Sequence, residues 1–298
     1  MITPPSLHKG DTIGIVSTAR KITIKELEPA IAIIEKWGLK AKLGRTIGLE
    51  DHQFAGDDIT RANDFQEMMD DTSVKAIWCA RGGYGTVRII DRLDFSKFMK
   101  SPKWIIGYSD ITVLHSHLHT MGIQSTHAQM PLDIDKKSEA TQESLKKVLF
   151  GSPYSIEYET RNRLNRFGTA NGILVGGNLS VLYSLCGSKS ALHTDGKILF
   201  IEDLDEYLYH VDRMIQNLKR NGLFQNLSGL IVGGMSDMND NTVPFGRTAE
   251  EIIFDVVSEY NFPVCFNFPA GHVNNNNALM LGHEVSLDIH ESGVRLTF

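Results

Sequence analysis

Short apolar runs alternate with amphipathic segments through the first half of the chain, and this alternation narrows the possible folds more than any other feature. Residues 12–17 (TIGIVS), 76–79 (AIWC) and 104–106 (WII) are short and apolar, the pattern of strands buried on both faces. Between them, residues 25–37 carry Leu27, Ile31 and Ile34 at helical spacing and stop at Gly38. Residues 58–69 read as a second helix and 111–121 as a third, ended by Gly122. Strands alternating with helices predict a mainly parallel sheet covered by helices, an α/β domain over residues 1–150. The polar, turn-rich stretch 151–168 reads as a linker. From 169 to 298 the pattern is mixed. Residues 197–201 (KILFI) and 229–232 (GLIV) read as strands, and 209–218 and 249–260 as helices, the latter opened by a capping box of Thr248 and Glu251. After Asn261 the runs FPVCF, ALML, EVSLDI and VRLTF predict a closing set of antiparallel strands, so a β-rich α+β domain is expected there. Asn274, Asn275, Asn276 and Asn277 read as a loop.

Composition removes several classes of function. The net charge is -6 and no basic block is present that could neutralise a run of phosphates, which argues against nucleic acid as a partner. Cys79, Cys186 and Cys265 are widely spaced with no CxxC, so neither a disulfide framework nor a structural zinc site is expected, and a reducing compartment fits best. The N-terminal residues lack the apolar core of a signal peptide. No apolar run approaches the roughly 20 residues of a membrane span. The expectation is a cytoplasmic protein with no membrane partner.

The segment WIIGYSDITVLHSHLH carries the most chemical information. An apolar strand runs into Gly107-Tyr108-Ser109-Asp110 and a helix follows at once. A serine on such a turn projects its hydroxyl away from the sheet, beside the free N–H groups and positive dipole end of the helix. The same pattern is also that of Ser or Asp capping a helix. Upstream, Arg81-Gly82-Gly83-Tyr84-Gly85 follows a strand; its glycines suit a phosphate cradle, an oxyanion hole or simply a turn. It is not a P-loop, because no Gly-Lys-Ser/Thr follows. Among the histidines, His115, His117 and His119 sit on one helix with poor geometry for three metal ligands, and a solvated or partly buried face is expected there. His272, in Pro269-Ala270-Gly271-His272, lies on a loop at a strand end, placed either to reach across a cleft or to bond nearby backbone. Glu202 follows the strand KILFI, with Asp203, Asp205 and Glu206 close behind; an orienting carboxylate, a divalent-metal site and a solvated helix-capping loop all fit that cluster.

Taken in order, RGGYG, GYSD, the Gly176-Gly177-Asn178 turn, IEDLDEYLYHVDR and PAGH resemble the LD-carboxypeptidase family, serine peptidases that also include the microcin C7 self-immunity type. The resemblance covers nearly the whole chain. It implies a Ser-Glu-His triad of Ser109, Glu202 and His272, with the backbone N–H groups of Gly83 and Asp110 as the oxyanion hole and no metal or organic cofactor. Arg81 and Asn178 become candidates for substrate contact. It also implies an α/β domain carrying the serine, a β-rich domain carrying Glu and His, a site in the cleft between them, and a homodimer. The expected reaction releases a terminal D-alanine from a murein tetrapeptide during peptidoglycan recycling. Cleavage of aminoacyl-nucleotide amides is the alternative chemistry, and a non-catalytic peptide- or sugar-binding module the alternative class.

Overall fold

The computed structural model describes residues 1–298. Along the first half, β1 (Thr12–Val16), α1 (Ile24–Lys36), β2 (Lys40–Leu43), α2 (Asp58–Asp70), β3 (Val74–Cys79), α3 (Thr86–Ile89), β4 (Trp104–Gly107), α4 (Thr112–Thr120), β5 (Ser125–His127) and α5 (Glu139–Leu149) alternate as expected. Then come β6 (Ser155–Glu159), β7 (Gly168–Asn178), α6 (Leu179–Leu185), β8 (Ile198–Leu204), α7 (Leu208–Arg220), β9 (Gly229–Ser236), α8 (Ala249–Val257), β10 (Val264–Cys265), β11 (Leu279–Leu281), β12 (Glu284–His290) and β13 (Gly293–Thr297).

Two sheets result. The first has the order β11-β5-β4-β3-β1-β2 and is parallel except at β11, which pairs antiparallel with β5. The second runs β10-β9-β8-β7-β12-β13-β6. Its β10-β9-β8-β7 half is parallel and its β7-β12-β13-β6 half antiparallel. Burial follows the pairing. Parallel β8 (ILFIEDL) is buried along nearly its whole length, whereas antiparallel β12 (EVSLDIH) alternates buried and open positions.

Several expectations change here. The segment 151–168 contains β6, which pairs with β13, so this stretch is not merely a linker. The FPVCF run forms β10, which is parallel to β9 rather than part of an antiparallel set. The ALML run leaves the second half altogether and closes the edge of the first sheet as β11. Gly176-Gly177-Asn178 is not a free turn but the end of β7.

One buried apolar cluster joins the two sheets, with Trp78 and Trp104 from the first, Phe200 and Leu174 from the second, and Phe268 from the loop after β10. The capping box of Thr248 and Glu251 is formed at the start of α8, and α1 has one of its own from Thr23 and Glu26.

The end of β7 is where the sheets meet the site. Asn178 pairs with Glu202 on β8, and its N–H donates to Thr112 Oγ1 at 3.0 Å, at the start of α4. Gly176 has φ +132, and a Cβ there would sit 1.8 Å from the Phe200 carbonyl oxygen. No side chain fits, so Gly176→Ala is expected to lower stability by more than about 4 kcal/mol, the range of severe core disruptions. A urea midpoint equal to that of the wild type would contradict this packing.

Candidate active site

The serine turn is built by strain and by a buried histidine. A Cβ on Gly107 would meet Ile111 Cγ1 at 2.7 Å, so only glycine lets the chain fold back over the next helix. Ser109 has φ +61, an uncommon conformation for any residue with a side chain and the signature of a nucleophile held on a sharp turn. It is half-buried and begins a short 3₁₀ turn that leads into α4. Its side chain caps nothing, because neither the 3₁₀ turn nor α4 has a side-chain cap. The capping alternative therefore falls.

His115 lies beneath the turn, wholly buried, so the expected solvated or partly buried face does not hold for it. Its Nε2–H donates to the Gly107 carbonyl at 2.9 Å and its Nδ1 accepts from Ser125 Oγ at 2.8 Å. Burial pushes its pKa down to about 3, so the ring is neutral and bonds through one donor and one acceptor. His117 contacts Ser190 Oγ and His119 contacts Lys197 Nζ; the three rings take separate partners.

The RGGYG turn packs on the serine turn. A Cβ on Gly82 would lie 3.4 Å from Ser109 Cβ and 3.5 Å from the Asp110 backbone nitrogen. Asp110 is buried, and its Oδ2 accepts from the Thr86 N–H at 2.9 Å, which ties the two turns together. Burial raises the pKa of this carboxyl, against the opposing effect of the Thr86 bonds. Gly83 has φ +101, and its N–H makes no hydrogen bond within the protein. Gly83, Tyr84, Ser109, Asp110, Asn178 and Glu206 are among the residues lining a cleft of ≈ 310 Å³.

Arg81 is outside that lining, and its Nη1 donates to the Lys21 carbonyl at 3.0 Å rather than to a carboxylate. Arg20 is also outside the lining, but it lies against Gly83, which is part of it. A Cβ on Gly83 would fall 2.5 Å from its Cδ and Nε, and it is exposed. Asn178 lines the cleft but its amide is engaged, capping α6 through Val181 N–H and donating to Asp203 Oδ1 at 2.8 Å.

Glu202, at the end of β8, has no solvent exposure. Its Oε2 accepts from the His272 backbone N–H at 3.1 Å and from His272 Nδ1–H at 2.6 Å. Gly271 makes this approach possible. Its φ is +101, and a Cβ there would sit 2.7 Å from Glu202 Cβ, Cγ and Oε2. With its Nδ1 proton committed to Glu202, His272 presents Nε2 as a free lone pair. Its ring packs 4.7 Å from that of Tyr108, centroid to centroid, beside Ser109. No hydrogen bond joins Ser109 Oγ to His272; such contacts are often long before substrate closes the site.

Burial disfavours charge on both partners, yet each favours the charged form of the other. The Glu202 pKa lies below the ordinary carboxylate value because its interactions with His272 and His127 outweigh burial. The His272 pKa is raised because Glu202 outweighs burial in the same way. The neighbouring Asp203 behaves oppositely. Burial and the charge of Glu202 push its pKa up to about 7, although Asn178 Nδ2 and the N–H groups of Ser180 and Leu204 bond it. Thr112 and Arg20 were not legible as site residues, and Asp203 and His115 were visible in the sequence only as members of an acidic cluster and a histidine-rich helix.

Residues 13–128 match the family model described as LD-carboxypeptidase N-terminal domain, and residues 171–287 that described as LD-carboxypeptidase C-terminal domain. The probable murein peptide carboxypeptidase of Bacillus subtilis (strain 168) is 35% identical over 297 residues, spanning 97% of this chain and 92% of that protein. The microcin C7 self-immunity protein of Escherichia coli is 24% identical over 98% of this chain and 94% of its own. The crystal structure of muramoyltetrapeptide carboxypeptidase from Oxalobacter formigenes matches with a TM-score of 0.87 and 25% identity, covering 96% of this chain and 98% of that one.

The His272 imidazole is expected to titrate above the ordinary value of 6.5, followed by NMR through its ring proton shifts. In Glu202→Gln burial acts without the carboxylate, so the midpoint should drop below 6.5. A midpoint unchanged by Glu202→Gln would show that the carboxylate does not set the basicity of His272.

Proposed function

Because the chain belongs to the LD-carboxypeptidase family of serine peptidases, we propose that it hydrolyses the L,D peptide bond that releases terminal D-alanine from a murein tetrapeptide, with Ser109, Glu202 and His272 as its triad. The observation that carries this reading is the arrangement around one buried carboxylate. Glu202 holds the Nδ1–H of His272, the opposite ring nitrogen is free, and the ring packs on the residue preceding a serine in a left-handed turn.

In the proposed cycle His272 Nε2 takes the Ser109 proton as Oγ attacks the scissile carbonyl carbon. Negative charge develops on the carbonyl oxygen, facing the N–H groups of Gly83 and Asp110. Oriented donors of this kind contribute about 3 kcal/mol each to lowering the barrier. The protonated His272 then gives its proton to the nitrogen of the departing D-alanine as the C–N bond breaks. Water repeats the sequence on the acyl-enzyme: His272 takes one of its protons, the oxygen attacks, and the proton returns to Ser109 Oγ. Glu202 stays ionised throughout and holds the ring in the required tautomer.

A terminal carboxylate on the substrate calls for a cation. Arg20, exposed and lying across Gly83, answers that need better than Arg81, whose guanidinium is tied to the Lys21 carbonyl. The family resemblance supports a homodimer acting in the cytoplasm during peptidoglycan recycling. No helix of the chain is long and apolar enough to cross a membrane. A second reading, cleavage of aminoacyl-nucleotide amides, is favoured by one feature, the exposed ring of Tyr84 on the cleft wall, which could stack on a base.

Purified wild-type protein is expected to release D-alanine from murein tetrapeptide with or without EDTA, and Ser109→Ala to lose at least about 10³-fold in kcat. Equal rates in the two proteins would discard Ser109 as nucleophile. Turnover of an aminoacyl-nucleotide amide but not of the tetrapeptide would transfer the assignment to the second reading. Arg20→Ala should raise KM about tenfold with little change in kcat, the result of losing a contact made equally in ground and transition states. An unchanged KM would remove Arg20 from the carboxylate site.

A further inference from the structure

Both hydrogen bonds from His272 fall on one oxygen of Glu202. The other, Oε1, is buried and has no donor. An ionised carboxylate without solvent is costly when half of it goes unbonded, and such orphans are rare in folded proteins. Facing Oε1 is a second orphan. His127, at the end of β5, is wholly buried, and neither of its ring nitrogens has a partner. Its Nε2 lies 4.0 Å from Glu202 Oε1.

The surroundings of His127 hold the ring in this orientation. Phe200 packs edge-on at 5.0 Å between centroids and Tyr108 at 5.8 Å, both aromatic neighbours of the site. In the sheet His127 stands opposite Gly107, the last residue of the strand that leads to Ser109. His127 thus pairs with the serine strand through its backbone, while its ring faces Tyr108, which packs on the base, and the carboxylate that holds the base. Closing the remaining gap to hydrogen-bond length requires a shift of about 1 Å, within reach of a small side-chain rotation.

We infer that His127 is a positioning residue for the triad, donating its Nε2–H to Glu202 Oε1 and fixing the carboxylate plane against His272. The inference rests on the reading of Glu202 as the acid that orients the base. With a donor on each oxygen, the carboxylate cannot rotate about its Cγ–Cδ bond without breaking one of them. His272 then keeps its Nε2 aimed at Ser109. The element carrying this contact, β5, belongs to the first sheet while Glu202 belongs to the second, so the bond also sets the two catalytic halves in register.

Two measurements test this. In the wild-type protein, long-range ¹H–¹⁵N NMR of the histidine rings, with His127 assigned by its loss in His127→Leu, should find a proton on Nε2 shifted downfield by the carboxylate. A proton on Nδ1 alone would overturn the proposal, since that tautomer has nothing to donate to Glu202. In steady-state turnover of the tetrapeptide, His127→Leu should lower kcat by roughly tenfold to a hundredfold, the size of a lost hydrogen bond to a charged group, with KM and melting temperature little changed. His127→Gln, whose amide nitrogen can occupy the place of Nε2, should recover most of that loss. A wild-type kcat in His127→Leu, or equal impairment in Leu and Gln, would reduce His127 to a packing residue. The NMR result does not depend on any substrate. An Nε2 proton in a protein that leaves murein tetrapeptide uncut would discard the peptide assignment while supporting the bond to Glu202.

Discussion

The Glu202 carboxylate has no contact with solvent, yet its bonds and charge interactions with His272 favour its ionised form, and much of the surrounding architecture serves that pairing. It stands at the end of β8, a strand buried along nearly its whole length, with Asn178 of β7 as its neighbour in register. Gly271 lacks the side chain that would collide with it, and so brings His272 within reach. Asp203, the next residue, lies on β8 too, where Asn178 and backbone N–H groups hold it. Two adjacent carboxyl groups are thereby driven apart: one keeps its charge, and the other is raised to about 7. Environments that separate the protonation of neighbouring groups are a mark of acid–base chemistry.

The serine side of the cleft is organised on a different principle. The placement of Ser109 comes chiefly from backbone geometry. Gly107 lets the strand fold back, His115 clamps the Gly107 carbonyl from below, and Asp110 binds the turn to the glycine loop that carries Gly83. The positive φ of Ser109 is the strained point of this arrangement, and the packing around it holds that strain in place. In the proposed reaction, such preorganisation would let the site meet a developing oxyanion without rearranging when charge appears.

Much of this was legible in the residues. The first-half strands and helices were readable because a parallel sheet imposes short, wholly apolar runs separated by amphipathic helices. The strand-to-helix serine turn and the place of Glu202 near the end of β8 were readable for the same local reason, whereas His272 lies in the long loop between β10 and β11 rather than at a strand end. What could not be read was pairing at a distance. β10 and β12 both come from short strand-like runs after Asn261, yet one lies parallel to β9 and the other antiparallel to β7 and β13. β11 joins the opposite sheet. Nothing in a stretch of three residues records which edge it will cover. The glycines at 176 and 177 look like a turn, but strand residues must be glycine when another backbone or a side chain comes as close as Phe200 and Thr112 do. His115 and His127 likewise differ from surface histidines only in what the fold packs against them.

The central claim is that His272, held by buried Glu202, activates Ser109. It is tested most directly by exposing the protein to diisopropyl fluorophosphate and mapping the adduct by peptide mass spectrometry. The account predicts phosphorylation at Ser109 in the wild type, absent in Ser109→Ala and slowed by at least about a hundredfold in His272→Ala, as for a serine deprived of its general base. Labelling of Ser109 at the same rate with and without His272, or labelling confined to another residue, would contradict it.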